Sequence, residues 1–289
     1  MPRHYTDSEL EQLADAYDRH GAVHLPGFLE PETVRRVLGE IDRAAAACQG
    51  NDRIPGLARS FGRGPGRMSI RSQADENPVI RDFLFRREMC EPLARITRTR
   101  VLQFWFDLTF IHEATADGGE GEGSPWHHDI AAFGFKGEKL PSLWMAMTPA
   151  KAGQSRLEFI DGSHRSVPGY FRPPTSTTAS PDDGMLDIPD YDALVRAGKE
   201  KVLAWDCAPG DALIIHPYTI HGSKGNTGNA QHGRRVAITT RWLGEDVRWL
   251  PLDRKIGQYA AGIDGNPPPN GSRPSRSVFP VVWEQASAA

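Results

Sequence analysis

The amino-acid sequence predicts a mainly β protein with flanking α-helices, in which short strands form an antiparallel sandwich or barrel. Helical spacing of apolar residues is confined to the first third of the chain. Beyond residue 101 the apolar runs are short, rich in β-branched and aromatic residues, and separated by turn-rich segments. A parallel α/β sheet would need long amphipathic helices between successive strands, so we favour antiparallel pairing.

The first third of the chain is predicted to be mostly helical. Thr6 and Glu9 have the spacing of a capping box, which begins a helix that runs to about Arg19 and ends before Gly21. The further elements predicted here are a strand over 22–25, a helix from residue 31 to about 50, a Gly-, Pro- and Arg-rich loop over 51–66 and a helix over 77–97.

The rest of the chain is predicted to form strands joined by loops. The strands are expected over residues 101–111, 142–147, 212–215 and 236–242. Residues 173–190 are too polar for a core and long enough to form a lid or entrance loop. Residues 265–277 are loose in composition, whereas the apolar segment 278–283 is expected to dock back.

The chain is predicted to be a single domain. It has no internal repeat and no sharp change of composition over residues 1–289. We expect a helical N-terminal part of about 1–100 to pack on a β core of about 101–250, with the entrance loop at about 173–190.

The charge of the chain argues against several classes of partner. Lys and Arg total 34 against 37 Asp and Glu, so the net charge of -3 offers no basic footprint for nucleic acid or an anionic membrane. The longest apolar runs fall far short of the roughly 20 residues that span a bilayer. No signal-peptide core follows Met1. We therefore expect a small-molecule partner, and the oligomeric state is left open.

The cysteines suggest a reducing compartment. Cys48, Cys90 and Cys207 are scattered without a C-x-x-C pair, an odd and sparse set that suits the cytoplasm better than a disulfide scaffold. The same pattern argues against a thiolate zinc site. Attention therefore turns to the ten histidines.

An H-x-D motif, His127 and Asp129, is the first candidate for metal binding. Residues i and i+2 of an extended segment point to the same side, so both side chains can reach one metal while His128 points elsewhere. A histidine and a carboxylate are two corners of the facial triad that binds non-haem Fe(II). An isolated H-x-D is weak evidence, because the pattern is short and also fits an exposed loop.

A second histidine downstream strengthens this interpretation. The buried strand over 212–215 is followed by an extended piece that contains His216 and ends at His221. Strands so distant in sequence can lie side by side in a barrel. Spacing alone leaves both histidines open as the third ligand.

Arg234 and Arg235 open the next apolar strand. A guanidinium in a barrel wall is costly unless an anion meets it, and its fork matches a carboxylate. The pair therefore marks a candidate anion site, and Arg241 on the same strand is interpreted as support for the metal site.

Short motifs occur in the order seen in the phytanoyl-CoA dioxygenase family, which this chain resembles over about residues 20–285. They are Pro125–Asp129, Ser142–Ala146, Leu157–Arg165, Gly210–Ala212, His221–Ser223, Arg234–Ala237 and Trp242–Asp246. The resemblance implies a double-stranded β-helix, or jelly-roll, core of the cupin-like kind, with Fe(II), 2-oxoglutarate and O2. It also implies that His127, Asp129 and His221 bind the metal, which selects His221 over His216.

The resemblance further implies a 2-oxoglutarate pocket. Arg235 fits the family's Arg-x-Ala frame better than Arg234, although both remain candidates, and Ser223 and Trp144 match positions that line the pocket. Many relatives carry a lysine where this chain has His112. If that lysine holds the cosubstrate, His112 would do so more weakly and in a pH-dependent way.

The function that follows is a non-haem Fe(II)/2-oxoglutarate-dependent dioxygenase that hydroxylates a secondary metabolite or amino-acid-like molecule and releases succinate and CO2. Desaturation, epimerisation, cyclisation or endoperoxidation with the same cofactors are alternatives. A cupin-like metal isomerase or a non-enzymatic binding protein are alternatives of another class. The arginines between Arg53 and Arg71 are interpreted as a solvated face, with phosphate binding as the alternative.

Overall fold

The structure is a computed structural model that describes residues 3–47, 61–64, 67–113, 123–172, 184–225, 233–250 and 269–286. The helices are α1 Asp7–His20, α2 Pro31–Ala47, α3 Pro78–Leu84, α4 Arg87–Ile96 and α5 Tyr191–Arg196. The strands are β1 Ala22–Leu25, β2 Phe61–Gly64, β3 Arg67–Arg71, β4 Val101–His112, β5 Ser124–His127, β6 Phe135–Lys136, β7 Ser142–Ala146, β8 Leu157–Ile160, β9 Val202–Ala204, β10 Ala212–Ile215, β11 His221–Ser223, β12 Arg235–Leu243, β13 Arg248–Trp249 and β14 Val281–Glu284.

Two antiparallel sheets form the core. The larger sheet has the order β1-β10-β7-β12-β4-β3-β2, with β14 also paired to β4. The smaller sheet has the order β5-β11-β8-β9. Neighbours in these sheets are mostly distant in sequence, apart from the hairpin of β2 and β3, and the described strand pairs are antiparallel. This arrangement agrees with the predicted mainly β jelly-roll core.

Helices α1 to α4 cover one face of the larger sheet, whereas Tyr191 of α5 packs with Ile160 of the smaller sheet. Ile80 of α3 and Leu93 of α4 belong to the same buried cluster as Ile111 of β4 and Ile238 of β12. Strand β12 is buried along its whole length, since its other face looks towards the smaller sheet. The larger sheet therefore separates the helical layer from the space between the two sheets.

The beginning of the chain folds as its sequence predicts. Thr6 and Glu9 form the capping box, with a Thr6 Oγ that accepts from the Glu9 amide at 3.2 Å. Gly21 ends α1 in the left-handed conformation, at φ 76°. A Cβ at this position would lie 2.3 Å from Thr219 Oγ1, so both the conformation and the close packing favour glycine.

Two predicted elements differ from the structure. The loop predicted over 51–66 contains β2, which pairs with β3; Gly and Arg are poor strand formers, so the ladder with β3 rather than local propensity defines it. The helix predicted over 77–97 is divided into α3 and α4, because Phe85 closes α3 and Arg86 is extended. The sheet also takes in β1, β2, β3 and β14, from outside residues 101–250.

The predicted loops are described only in part. Residues 173–183 of the predicted entrance loop lie outside the described residues, and 184–190 contain no helix or strand beyond an isolated bridge of Leu186 to Phe171. The segment predicted to dock back forms β14 along β4, as expected. None of the described helices is long and apolar enough to cross a membrane.

Candidate active site

Strand pairing in the smaller sheet places two of the predicted ligands side by side. His221, the first residue of β11, is the direct partner of His127, the last residue of β5. Their ring centroids are 4.3 Å apart. His221 is buried between β5 and β8, where Phe159 is its partner on the other side.

Each of these histidines presents the same nitrogen to the space between the sheets. The Nδ1 of His127 lies 2.7 Å from the Pro125 carbonyl oxygen, and the Nδ1 of His221 lies 2.9 Å from that of Thr219. A carbonyl oxygen only accepts, so each Nδ1 carries the proton and donates it. In the neutral form of each ring, the other nitrogen, Nε2, then has a lone pair for a metal.

Asp129 begins a short 3-10 turn two residues after the end of β5, and its two carboxylate oxygens have different neighbours. Oδ1 lies 3.9 Å from the Nε2 of His127 and 3.9 Å from the Nε2 of His221. Oδ2 is 2.8 Å from an Arg241 Nη and accepts from Ser142 Oγ at 3.1 Å. One oxygen is thus held by the protein and the other faces the histidines.

The charges around Asp129 keep it ionised. Burial alone would raise its pKa, but the Arg241 guanidinium and the two histidines lower the pKa to about 2. Burial lowers the pKa of His221 to about 4. At neutral pH the residues therefore present one carboxylate and a neutral His221 imidazole, the protonation states that a metal requires.

The three side chains fit a divalent metal ion. One ligand atom from each of His127, Asp129 and His221 lies within 4.8 Å of the others. Two neutral nitrogens and one anionic oxygen on one side of a cavity are the donor set of a facial triad, which suits Fe(II) and leaves coordination positions open. We refer to these three residues as the triad; their role as ligands remains the prediction made from the sequence.

The triad opens onto a cavity between the two sheets. Four of the predicted cosubstrate residues, His112, Trp144, Ser223 and Arg235, line the same cavity. The lining also includes side chains that sequence reasoning did not select: Phe110, Ser124, Leu157, Ile215 and Thr239. These five are ordinary strand residues, and only the strand order turns them towards the cavity.

Arg235 lines this cavity, and some of its hydrogen-bond donors have no partner there in the described part of the chain. Its side chain is 3% exposed, and Nη2 donates to the Ser155 carbonyl at 3.2 Å. Nε and Nη1 are buried and have no hydrogen-bond partner among the described residues. The guanidinium carbon lies 5.8 Å from the centre of the Trp144 ring. Burial lowers the pKa of Arg235 to about 10, which still leaves it charged at neutral pH.

A buried cation with unsatisfied donors fits an anionic ligand. Leaving such donors unpaired is costly, and a carboxylate matches the guanidinium fork with two parallel hydrogen bonds. The free donors of Arg235 and the triad border one cavity. Its geometry therefore suits a small molecule that carries a carboxylate at one end and metal-binding oxygens at the other, as 2-oxoglutarate does.

Arg234 is not brought to this cavity. Neighbouring residues of a strand point to opposite faces, and the guanidinium of Arg234 forms an ion pair with Asp42 of α2 on the helical side. Thr148 Oγ1 donates to its carbonyl at 3.0 Å. The two arginines that the sequence left open are thus separated by strand alternation.

His112 lies beside Arg235 in the strand register. Its Nδ1 is 3.0 Å from Ser155 Oγ. Burial, with the charges of Arg235 and Arg67, lowers the pKa of His112 to about 3. The ring is therefore neutral throughout the physiological pH range, so the pH dependence that we expected of His112 would fall only in strong acid unless a bound anion raises its pKa.

The other histidines considered from sequence have neighbours away from the triad. His216 packs against Tyr17 and His164, with ring centroids 5.8 and 4.8 Å away, and burial lowers its pKa to about 3. The Nε2 of His164 is 3.2 Å from the Asp18 carbonyl. His128 turns away from the triad, and its Nε2 accepts from the Phe171 amide at 2.9 Å.

Known proteins resemble this chain in sequence and in fold. The family model described as phytanoyl-CoA dioxygenase matches residues 17–236. The 1-deoxypentalenic acid 11-beta-hydroxylase of Streptomyces exfoliatus is 25% identical over 241 residues, which is 81% of each chain.

Solved structures of two enzymes from nogalamycin biosynthesis share the fold. The epimerase SnoN, in complex with Fe3+, alpha ketoglutarate and nogalamycin RO, has a TM-score of 0.73 at 18% identity and covers 96% of this chain and 100% of its own. The alpha ketoglutarate dependent carbocyclase SnoK has a TM-score of 0.70 at 15% identity and covers 97% and 99%.

The match to the family model spans most of the chain and includes the triad, Trp144, Ser223 and Arg235. It confirms the predicted family and, with it, the predicted enzyme class, an oxygenase that uses Fe(II), 2-oxoglutarate and O2 on small molecules. The chain belongs to the phytanoyl-CoA dioxygenase family.

Proposed function

We propose that this protein hydroxylates a small organic molecule and that His127, Asp129 and His221 bind the Fe(II) on which it depends. The observation that carries the proposal is the presence of the triad and the buried, incompletely paired Arg235 in one cavity. Succinate and CO2 are the expected products of the cosubstrate.

The side chains around the metal have separate tasks. When bound, Fe(II) with 2-oxoglutarate supplies the O2-derived oxidant that no side chain can provide. The carbonyls of Pro125 and Thr219 orient the two imidazoles, and Arg241 with Ser142 holds Asp129 so that a single oxygen faces the metal position. These contacts preorganise the ligands and reduce the cost of assembling the site.

We assign to Arg235 the binding of the distal carboxylate of 2-oxoglutarate. Its Nε and Nη1 supply the free donors, and Trp144 lies alongside the guanidinium. His112 and Ser223 line the same cavity and offer further polar contacts to the cosubstrate. Arg234 is assigned no part in this pocket, since Asp42 already neutralises it.

The hydroxylase relative favours hydroxylation over the other outcomes, because its sequence identity to this chain is higher than that of the epimerase and the carbocyclase. The epimerase and the carbocyclase share the fold at lower identity, so epimerisation and cyclisation remain the alternatives. A secondary metabolite is the proposed substrate class, and the substrate of the hydroxylase relative is the first compound to test.

A cytoplasmic location completes the proposal. It rests on the sparse cysteines of the sequence, two of which, Cys90 and Cys207, are buried free thiols. Neither nucleic acid nor a membrane surface is proposed as a partner, in view of the net charge of -3.

The test is anaerobic addition of Fe(II) and then 2-oxoglutarate to the metal-free protein, followed by the visible charge-transfer band of the ternary complex. We expect the band in the wild type and no band in His127→Ala. In Arg235→Gln, we expect a much lower affinity for 2-oxoglutarate, so that the band needs a higher concentration of it to form. Arg234→Gln is the matched control and should titrate like the wild type. Absence of the band in the wild type, or an undiminished band in His127→Ala, would contradict the proposal.

Two other functions predict different results. A metal isomerase that needs no cosubstrate would stay active in Arg235→Gln, because it has no use for the arginine. A binding protein without catalysis would show no O2-dependent conversion of 2-oxoglutarate to succinate. Measurement of succinate with and without a candidate substrate therefore separates the three functions.

A further inference from the structure

Ser155, between β7 and β8, has a backbone conformation that is unfavourable for a residue other than glycine. Its φ is 52°, in the left-handed region, and the residue is 1% exposed. A residue with a Cβ keeps this conformation only where the surrounding contacts fix it, and such residues are concentrated at functional sites. The contacts of Ser155 therefore indicate what its conformation serves.

Each polar group of Ser155 contacts a different part of the structure. Its amide donates to the Gly225 carbonyl at 2.8 Å, in the segment that follows β11. Its carbonyl oxygen accepts from Arg235 Nη2 at 3.2 Å, and its Oγ lies 3.0 Å from His112 Nδ1. Ser155 therefore links β4 and β12 with the segment after β11.

The two side chains that Ser155 contacts are neighbours in the larger sheet. Arg235 of β12 is the direct partner of His112 of β4, and both line the cavity onto which the triad opens. Directly paired residues of antiparallel strands project to the same side, so the guanidinium and the imidazole stand next to each other. A single residue thus contacts two side chains that are proposed to bind 2-oxoglutarate.

The carbonyl of Ser155 determines which donors of Arg235 are available to a ligand. A guanidinium carries its five N–H donors in one plane. Nη2 is directed at the carbonyl oxygen, whereas Nε and Nη1 are buried and have no hydrogen-bond partner among the described residues. A rotation of the guanidinium would break the contact with Ser155. The carbonyl therefore keeps the free donors of Arg235 in one direction.

The hydroxyl of Ser155 can determine which nitrogen of His112 carries the proton. Burial, with the charges of Arg235 and Arg67, lowers the pKa of His112 to about 3, so the ring is neutral and has one N–H. A hydroxyl can donate to the unprotonated nitrogen of such a ring. When Ser155 Oγ donates to Nδ1, the proton of the imidazole lies on Nε2. The ring is then a hydrogen-bond donor on its other side, as an anion beside Arg235 requires.

We propose that Ser155 is a positioning residue of the 2-oxoglutarate pocket: its carbonyl directs Arg235 and its hydroxyl directs His112, so that both donate to the distal carboxylate. The inference rests on the proposed function. In the left-handed conformation, the carbonyl and the hydroxyl of this one residue reach two neighbouring strands. Ser155 itself does not line the cavity, so it acts through the two side chains.

The test compares two 2-oxo acids that differ only at the distal end. 2-Oxovalerate has the carbon chain and the metal-binding oxygens of 2-oxoglutarate, but a methyl group replaces the distal carboxylate. Each acid is titrated anaerobically into the Fe(II) complex, and the charge-transfer band gives its Kd. The ratio of the two Kd values measures how strongly the protein binds the distal carboxylate.

Variants of Ser155 should change this ratio alone. Ser155→Ala removes the hydroxyl, and we expect the preference for 2-oxoglutarate to fall by roughly 3- to 10-fold, the size of one hydrogen bond. The Kd of 2-oxovalerate should stay at the wild-type value. Ser155→Gly removes the same hydroxyl without strain at positive φ and should show the same fall, which separates loss of the hydroxyl from backbone strain.

Ser72→Ala is the matched control. Ser72 is also buried, its φ is 55°, and its Oγ has no hydrogen-bond partner among the described residues. The substitution therefore places an alanine in the same backbone conformation without removing a contact of the pocket. We expect the wild-type preference for 2-oxoglutarate in this variant.

A double variant tests whether the hydroxyl acts through His112. His112→Phe removes both ring nitrogens, so adding Ser155→Ala in this background should lower the preference for 2-oxoglutarate no further. A further fall as large as that in the wild-type background would overturn the inference, because the hydroxyl would then act without the imidazole.

The inference is also overturned if Ser155→Ala weakens both acids equally, as general damage to the fold would, or if it leaves the preference unchanged. These outcomes are distinct from failure of the proposed function. A wild type without a charge-transfer band contradicts the proposed function. A normal wild-type band, with the same preference in the wild type and in Ser155→Ala, contradicts only the role of Ser155.

Discussion

The described part of the structure contains two clusters in which histidine and aspartate lie close enough to share a metal: the triad, and a second cluster of His24, Cys207 and Asp211. Their composition is similar, but their hydrogen bonding differs. In the second cluster, Asp211 Oδ1 accepts from the Gly27 amide at 2.7 Å, and Oδ2 accepts from the Ala208 amide at 2.9 Å. His24 Nε2 adds a further contact to Oδ2 at 3.1 Å.

The second cluster is built to hold turns. The two carboxylate oxygens of Asp211 accept from the Gly27 amide, in the turn after β1, and from the Ala208 amide, in the turn before β10. Burial raises the pKa of Cys207 to about 12, so that its thiol keeps its proton. In the triad, by contrast, Asp129 Oδ1 and two Nε2 lone pairs face a common cavity. Ligand type and proximity therefore do not define a metal site; ligand atoms left unused by the protein do.

The largest expected effect comes from the carboxylate of the triad. Asp129→Asn keeps the shape of the side chain but removes the charge and leaves Arg241 buried without its counter-ion. We expect Fe(II) affinity, measured by anaerobic titration, to fall by more than roughly 100-fold, since loss of contacts behind the ligands alone costs up to that amount. Asp211→Asn is the matched control and should bind Fe(II) like the wild type. Equal losses in the two variants would refute the comparison.

Arg241 should have the next largest effect. Arg241→Met keeps the bulk of the side chain but frees Asp129 Oδ2, so that the carboxylate can turn. Fe(II) affinity is expected to fall by roughly 10- to 100-fold. Arg241→Lys should recover part of it. An unchanged affinity in Arg241→Met would mean that Ser142 alone orients Asp129.

Asp211 should matter for stability instead. Asparagine offers one carbonyl oxygen where aspartate offers two acceptors, so either the Gly27 or the Ala208 amide loses its partner. We expect urea unfolding to show a loss of about 1–3 kcal/mol, the cost of an unsatisfied buried donor. If Asp211→Asn is as stable as the wild type, the turn-holding role is wrong.

The smallest effect at neutral pH concerns His216, which is buried but belongs to neither cluster. Its pKa is lowered by burial to about 3, from 6.5, so the unfolded chain binds a proton there that the folded protein does not. The stability associated with neutral His216 is present above about pH 6.5 and is lost as the pH falls, by up to about 1.4 kcal/mol per pH unit. In the metal-free protein, His216→Gln should make this acid-side loss shallower, as measured by urea unfolding at several pH values. An unchanged pH dependence would contradict this account.

Part of this site could be predicted from residue order. The H-x-D spacing and the family motifs selected the triad, and the structure brings the three side chains together. The choice between Arg234 and Arg235 was left open, because alternation shows that neighbours diverge but not which of them faces the cavity. Ser155, which holds Arg235, could not have been foreseen, since this contact joins positions 80 residues apart.

The edge of the larger sheet shows a similar limit to prediction from sequence. Residues 51–66 lack the β-branched pattern of a strand, so β2 was missed. Its partner β3 then carries Arg71, which was interpreted as part of a solvated face. Only the pairing of β3 with β4 shows that this arginine belongs to a strand of the larger sheet. Local propensity says little about a strand whose stability depends on its neighbour.

The sequence by itself determined the kinds of ligand, the mainly β class and the family, because these are written in residue types, short spacings and motif order. The tertiary structure decided which arginine is buried, which imidazole nitrogens are free and which oxygen of Asp129 faces the histidines. Those properties depend on the register between strands far apart in the chain. The net charge of the chain is near neutral, which argued against a basic surface. It is consistent with a site that uses a few single arginines, each positioned by the register between strands.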